Sequence, residues 1–253
     1  MSDNDTIAAA VLSRPAGNTF PAFVLGIGLI LSTIIGAWTF YSVRSFDNTL
    51  QVTGSAKKAV TADMVRWSAN FTRSVDTNAI KAGYDQMRKD GDAVTKFLKK
   101  NKIDDKNVTI STVIMNQDYN YNTNGSQLRG YTLSQSVEVS SADVAGITKI
   151  AKNIDELISQ GVLLSTQSLE YTVTKLPELR IALLKDAIKD ARARAASIAE
   201  NDGKSVGSLK SASIGVVQVM APNSIAVDDY GSYDTSSIEK EVMVTVRASF
   251  QLR

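Results

Sequence analysis

The sequence predicts an α+β protein: mainly antiparallel sheet with three packed helices, preceded by one N-terminal transmembrane helix. Three observations lead there. Ala22 to Val43 contains no charged residue. Segments 65–72, 131–139 and 242–252 alternate apolar and polar side chains, the pattern of strands with one buried face. Segments 78–100, 144–160 and 177–200 each carry one apolar stripe at helical spacing.

The charge-free run lies between Pro21 and Arg44. As a helix it is long enough to cross a hydrocarbon core about 30 Å thick. Phe20 and Phe23 sit near one end and Trp38, Phe40 and Tyr41 near the other, where aromatic rings favour the membrane interface. Gly26-Ile27-Gly28 shares its spacing with a phosphate-binding glycine loop, but no strand precedes it and no polar helix start follows. A cleavable signal has a shorter apolar core of roughly 7–15 residues and a small-x-small cleavage site, so the helix is expected to be retained. The expected organisation is a polar tail (1–21), a transmembrane helix in contact with lipid (22–43) and a folded domain (44–253). Gly28, Ser32 and Gly36 recur every four residues and form a flat helix-packing face.

The domain opens with a short strand at 50–53. In 65–72, Val65, Trp67, Ala69 and Phe71 share one face, with Arg66, Ser68, Asn70 and Thr72 on the other. The helix at 78–100 buries Ile80, Tyr84, Met87, Gly91, Val94 and Leu98. Strands follow at 108–115 and 131–139. The helix at 144–160 starts with Asp143 as N-cap and stops at Gly161. A strand at 169–174 precedes the last helix, which starts at Pro177, carries the stripe Leu184, Ile188, Ala191, Ala195 and Ile198, and ends before Gly203. Strands at 211–219 and 242–252 complete the chain. The last of these is expected at a sheet edge, open to a neighbour. Two long polar connections, 116–130 and 221–237, carry Tyr119, Tyr121, Tyr230 and Tyr233. Tyrosine is enriched at protein interfaces, so these four are candidate oligomer contacts.

The absences restrict the chemistry. The chain has no histidine and no cysteine, which removes Ser-His-Asp catalysis, thiol nucleophiles, disulfides and zinc-thiolate sites. A net charge of +2 is too balanced for a nucleic-acid footprint. "DDYGSYD" (228–234) offers oxygen ligands in Asp228, Asp229 and Asp234 but lacks the spacing of a calcium loop, and reads as a solvated turn. The lysines of "KFLKKNK" (96–102) complement a helix C-terminus. Asp190 and Arg194 are spaced as a helix surface pair, which accounts for the charges around Asp186 and Arg192 without catalysis. No catalytic residue, metal site or cofactor is expected, and no enzyme activity.

Four stretches carry a family resemblance: "LQVTGSAKKAVTADMVRWSANF", "RGYTLSQSVEV", "LLSTQSLEYTV" and "LLKDAIKDARARAASIAENDGKSVGSL". The chain thereby resembles the SIMPL-domain family of bacterial envelope proteins over about residues 50–253. The first stretch has the family's V-x-G strand and Asp-containing turn, and the second its Gly-Tyr strand. The last is its Ala/Arg-rich helix, matched at Ala187, Ala191, Arg192, Arg194, Ala195 and Ala199. One departure is Ala62, where the family often has proline before the Asp. The resemblance implies an extracytoplasmic α+β domain, large homo-oligomeric rings or channel-like particles in some relatives, and no accepted catalytic residues. It implies a cytoplasmic N-terminus and a periplasmic domain in the inner membrane. Charge favours the reverse, with Arg44, Lys57 and Lys58 after the span against Arg14 before it. Two functions stay open: a self-assembling envelope scaffold, or a binding or stress-protective protein for a client or small ligand. N-terminal sequencing of membrane-extracted protein is expected to find residues 22–43 retained. A terminus near residue 45 would make the protein secreted instead.

Overall fold

The computed structural model describes residues 19–45, 48–122, 125–224 and 230–253. In chain order the elements are α1 (Thr19–Ser45), β1 (Thr49–Thr61), β2 (Met64–Asp76), α2 (Ile80–Lys100), β3 (Val108–Ile110), β4 (Ile114–Asn122) and β5 (Gly125–Ser141). They continue with α3 (Val144–Lys152), α4 (Asp155–Ser159), β6 (Leu164–Thr172), α5 (Leu176–Asn201), β7 (Val206–Met220) and β8 (Glu239–Leu252). Within α1, Phe23–Ser42 is long and apolar enough to cross a membrane, and none of it is buried against protein. The polar tail through residue 18 lies outside the described residues.

The strands form two antiparallel sheets. One has the order β1-β8-β7. The other has the order β3-β5-β2-β6, with β4 running on beyond β3 along the same edge of β5. The alternation in β2 puts Val65, Trp67, Ala69 and Phe71 into one core with Leu133, Val137 and Val139 of β5. Met87, Val94, Phe97 and Leu98 of α2 close that core, together with Ile147 and Ala151 of α3 and Leu157 of α4. Burying each large side chain contributes about 1.5–3 kcal/mol relative to exposure. Trp67 keeps its polar atom satisfied by donating Nε1–H to Thr166 Oγ1 at 3.1 Å.

The three-stranded sheet is roofed by α5. Leu183, Ala187, Ala191, Ala195 and Ala199 lie one turn apart and are all buried. Ala187, Ala191 and Ala195 pack on Val52, Val246, Ala248 and Phe250, while Leu183 packs on Val219, Val242 and Val244. Gly54 of β1 lies directly beneath. A Cβ at this glycine would stand 2.7 Å from Ala191 Cβ and collide with the Ala187 carbonyl. The chain therefore needs alanine above and glycine below for helix and strand to meet at this distance. Ser55 donates its backbone N–H to Asp190 Oδ2 at 2.8 Å, and Arg194 Nε donates to the same oxygen at 2.8 Å.

Several expectations change. The buried stripe of α5 keeps the predicted Ala191 and Ala195 but is completed by Leu183, Ala187 and Ala199: Ile198 faces solvent, and Leu184 and Ile188 are only partly buried. On α2, Gly83, Asp90 and Phe97 are buried while Ile80 and Gly91 are only partly buried and Tyr84 is exposed. The helix expected at 144–160 begins at its predicted cap, with Gly146 N–H bonded to Asp143 Oδ1 at 2.9 Å. It breaks at Asn153, whose φ of −125° and ψ of 63° are non-helical and whose Nδ2 donates to Lys149 O at 2.7 Å. Gly161 and Gly203 adopt positive φ just past α4 and α5, as helix stops do. The connection 116–130 is a hairpin formed by β4 and β5. The last strand is central in its sheet, because β1 pairs along one side of it and β7 along the other. It offers no edge to a neighbour.

Gly54→Val is expected to destabilise the domain by about 1–3 kcal/mol or more, because the added carbons meet backbone that cannot give way. Urea unfolding followed by circular dichroism measures this. Gly28→Val, in open space on α1, should leave the domain's midpoint unchanged.

Candidate functional site

The two sheets meet where β1 turns into β2. Ala62 donates its backbone N–H to Ile238 O at 2.8 Å. A proline here would remove that donor, so the departure from the family pattern has a local use. Asp63 follows, and its carboxylate accepts from Thr174 N at 2.7 Å and Thr174 Oγ1 at 2.8 Å. Partial burial works against its charge, but these hydrogen bonds hold the carboxyl below the usual aspartate range. The Asp thus ties the β1–β2 turn to the β6–α5 turn.

A second tie is made by residues 232–238. Val219 N donates to Ser232 O and Asp234 N to Val219 O, both at 2.8 Å, which attaches the segment to β7. Tyr171 N donates to Thr235 O at 2.8 Å and Val173 N to Tyr233 Oη at 2.9 Å, attaching it to β6 and the residue just beyond. Beneath lies Lys240, only 1 % exposed. Its ammonium donates to the Asp234 carbonyl, stands 3.5 Å from Asp234 Oδ2 and lies 6.0 Å from the Tyr233 ring centre. Burial pulls its pKa below that of ordinary lysine, partly offset by Asp234. The Asp234 carboxylate accepts from Ser236 N, Ser236 Oγ and Ser237 N. Burial opposes its charge, and those bonds with Lys240 outweigh it, so its pKa falls far below the usual range. The expected solvated turn is, at Asp234, a mostly buried clasp. Asp228 and Asp229 lie outside the described residues.

The candidate oligomer contacts have different surroundings. Tyr233 is engaged within its own chain by Val173 and Lys240. Tyr230 is 94 % exposed. Tyr119 projects from β4, partly exposed, and donates its hydroxyl to Gln117 Oε1 at 2.8 Å. Tyr121 lies on the same strand, and its side chain is outside the described residues. Gly28 and Gly36 have open space around them on α1, and Ser32 Oγ donates to Leu29 O at 2.9 Å.

Two concavities accompany these features. One, of about 490 Å³, is apolar and lies between the start of α5 and β7, lined by Leu176, Pro177, Ile181, Leu184, Ile214 and Val217, with Arg180 at its rim. The other, of about 210 Å³, is polar and sits at the base of the β4–β5 hairpin, lined by Asp76, Asp118, Arg129 and Tyr131. Among the described residues, no group of three or more potential metal-ligating side chains comes together. The carboxylates closest to a functional pattern serve structure. Asp190 bridges β1 and Arg194, and buried Asp90 receives Arg73 Nε at 2.6 Å and Nη2 at 3.0 Å. Sequence reasoning missed the clasp, whose only local signal is Asp234 followed by Ser236 and Ser237, the pattern of an Asx turn.

The family model for SIMPL, described as a protein of unknown function (DUF541), matches residues 50–250. No curated protein matches the chain.

Asp63, Asp190 and Asp234 all have pKa values below their unfolded ones. The stability they supply is complete above about pH 4 and is lost as pH falls through the folded values. Thermal unfolding measured from pH 7 to pH 2 should show this decline. Asp234→Asn should lower stability at pH 7 by about 1–3 kcal/mol and make the decline below pH 4 shallower.

Proposed function

The chain belongs to the SIMPL family, and from that premise we propose a non-enzymatic, membrane-anchored envelope protein that self-assembles into a large homo-oligomer. In this reading α1 holds the chain in the inner membrane with its N-terminus in the cytoplasm. The sheets and helices stand in the periplasm and build a ring or channel-like scaffold. Self-association is supported chiefly by the β4–β5 hairpin, which exposes Ile114, Met115, Tyr119 and Leu128 with no third strand over its outer edge among the described residues. The non-enzymatic part draws on the lack of histidine and cysteine and on the structural employment of Asp63, Asp90, Asp190 and Asp234. The orientation draws on the family's envelope location and runs against the small excess of basic residues after the span.

The apolar groove beside α5 favours a second function, capture of a client segment or small apolar ligand. Ile181, 60 % exposed, lines it. A groove of this volume with one cationic rim residue suits a mostly apolar ligand bearing a single anionic or polar end.

Light scattering coupled to size exclusion in detergent tests the assembly. The expected mass is a multiple of the 27.3 kDa chain. Deletion of residues 1–45 should leave a domain that still assembles, and Gly28→Leu with Gly36→Leu in the full chain should alter packing only if anchors touch. A truncated domain that runs as a monomer at micromolar concentration would move the assembly role to the anchor. A full chain that is itself monomeric would favour the binding function.

A further inference from the structure

A sheet edge presents unpaired N–H and C=O groups, and soluble proteins usually cover or blunt such edges. Three edges here are treated in that way. On β1, Asp190 accepts the outward N–H of Ser55. On β6, Thr235 and Tyr233 accept from Tyr171 and the adjacent Val173. On β7, Ser232 accepts from Val219, and the rest of the strand carries three register irregularities and Lys210. The edge of β4 differs. Among the described residues no segment pairs with its outer side. Residues 119–128 contain no charge and no proline.

The hairpin also outruns its support. Pairing between β2 and β5 ends at Asp76 and Gly130, so the part of the arm beyond Gly130 is two strands wide. A two-stranded ribbon is marginal in water, and a third strand stabilises it. The only charges on 114–130 are Asp118 and Arg129, of opposite sign. Neither is within ion-pair distance of a group in its own chain among the described residues. Both line the cleft at the arm's base. Each arm is therefore neutral overall, and along their uncharged tips two copies set no like charges against each other.

We propose that the arm, residues 114–130, is a subunit contact in which the outer edge of β4 pairs antiparallel with β4 of a second copy. This rests on the homo-oligomeric reading above and specifies its interface. A two-fold pairing centred on Asn120 sets Tyr119 of one copy opposite Tyr121 of the other, and Asp118 opposite Asn122. It keeps the two aspartates apart, so no like charges stand directly opposite each other. Such a contact is isologous and closes pairs. A larger ring then needs a second, different contact, and its subunit number is even.

The absence of cysteine makes one introduced thiol a unique probe. In the full chain in detergent, Asn120→Cys at the centre of the pairing places two Cα atoms about 4.5–5.5 Å apart, within disulfide reach. Mild oxidation is expected to convert most of this variant to a covalent dimer. Ser211→Cys, on the exposed part of β7, should stay uncrosslinked. Asn120→Lys sets lysine against lysine and should weaken association at least tenfold, with circular dichroism and the unfolding midpoint unchanged. A wild-type oligomer in which Asn120→Cys does not crosslink and Asn120→Lys keeps its mass would overturn the arm contact and leave self-assembly standing. A wild-type chain that is monomeric at micromolar concentration would overturn self-assembly, and the arm contact with it.

Discussion

The seat of α5 on β1 is the constraint that organises the rest of the chain. A helix comes this close to a strand only where both surfaces are nearly bare. Gly54 beneath Ala187 and Ala191 supplies that condition. The hydrogen bond from Ser55 to Asp190 fixes the register across 135 residues of sequence. Arg192 then lies over the Phe250 ring at 5.2 Å, covering the flank of the alanine stripe with its long side chain. With the helix in place the first and last strands are drawn side by side, and β8 becomes the centre of its sheet. The V-x-G strand and the Ala/Arg-rich helix, two motifs far apart in the chain, are the two halves of one contact.

Much of this was legible in the sequence. The alternation of 65–72 and 131–139 located the core of the larger sheet, and the stripes located the helices to within a few residues. The phase of α5 was only partly legible, because leucine and isoleucine weigh more than alanine in any apolar stripe. Here the geometry selects for smallness, so the most apolar face is not the buried one. The hairpin was hidden for a different reason. Residues 116–120 and 125–129 are polar or exposed on both faces, so no burial imposes a period of two, and only backbone pairing reveals it. Asn153 broke a helix whose apolar spacing continues across it, since a side chain that bonds backbone competes with the helix itself.

The residues that matter most at the junction were read as surface features. Asp63 belonged to a recognised turn, yet its partner Thr174 is 111 residues away and nothing local announces it. Tyr233 was chosen as a contact residue because it sits in a long polar segment. Within its own chain its hydroxyl accepts a backbone N–H beside β6, and its ring, still 41 % exposed, stands near buried Lys240. Lys240 lies just before the strand read at 242–252, and only the structure shows it buried. What sequence pattern could not supply was the clasp as a unit, because its partners on β6 and β7 lie far from it in the chain and several of them are backbone groups.

These ties divide the work of the molecule. Under the proposed anchor, α1 ends at Ser45 and β1 begins at Thr49, so the smaller sheet starts within about 14 Å of the helix end, at about 3.5 Å per residue. β1 has 13 residues and spans about 43 Å, at roughly 3.3 Å per residue. The Asp63 junction thus stands at the end of β1 opposite the anchor. Among the described residues, the larger sheet and its arm are joined to the smaller sheet by that junction, by the β6–α5 connection and by the 232–238 clasp. In the proposed assembly, force between neighbouring arms would reach the anchored sheet through these connections. In that proposed assembly the carboxylates of Asp63 and Asp234, each accepting several hydrogen bonds, would stiffen the path between arm and anchor.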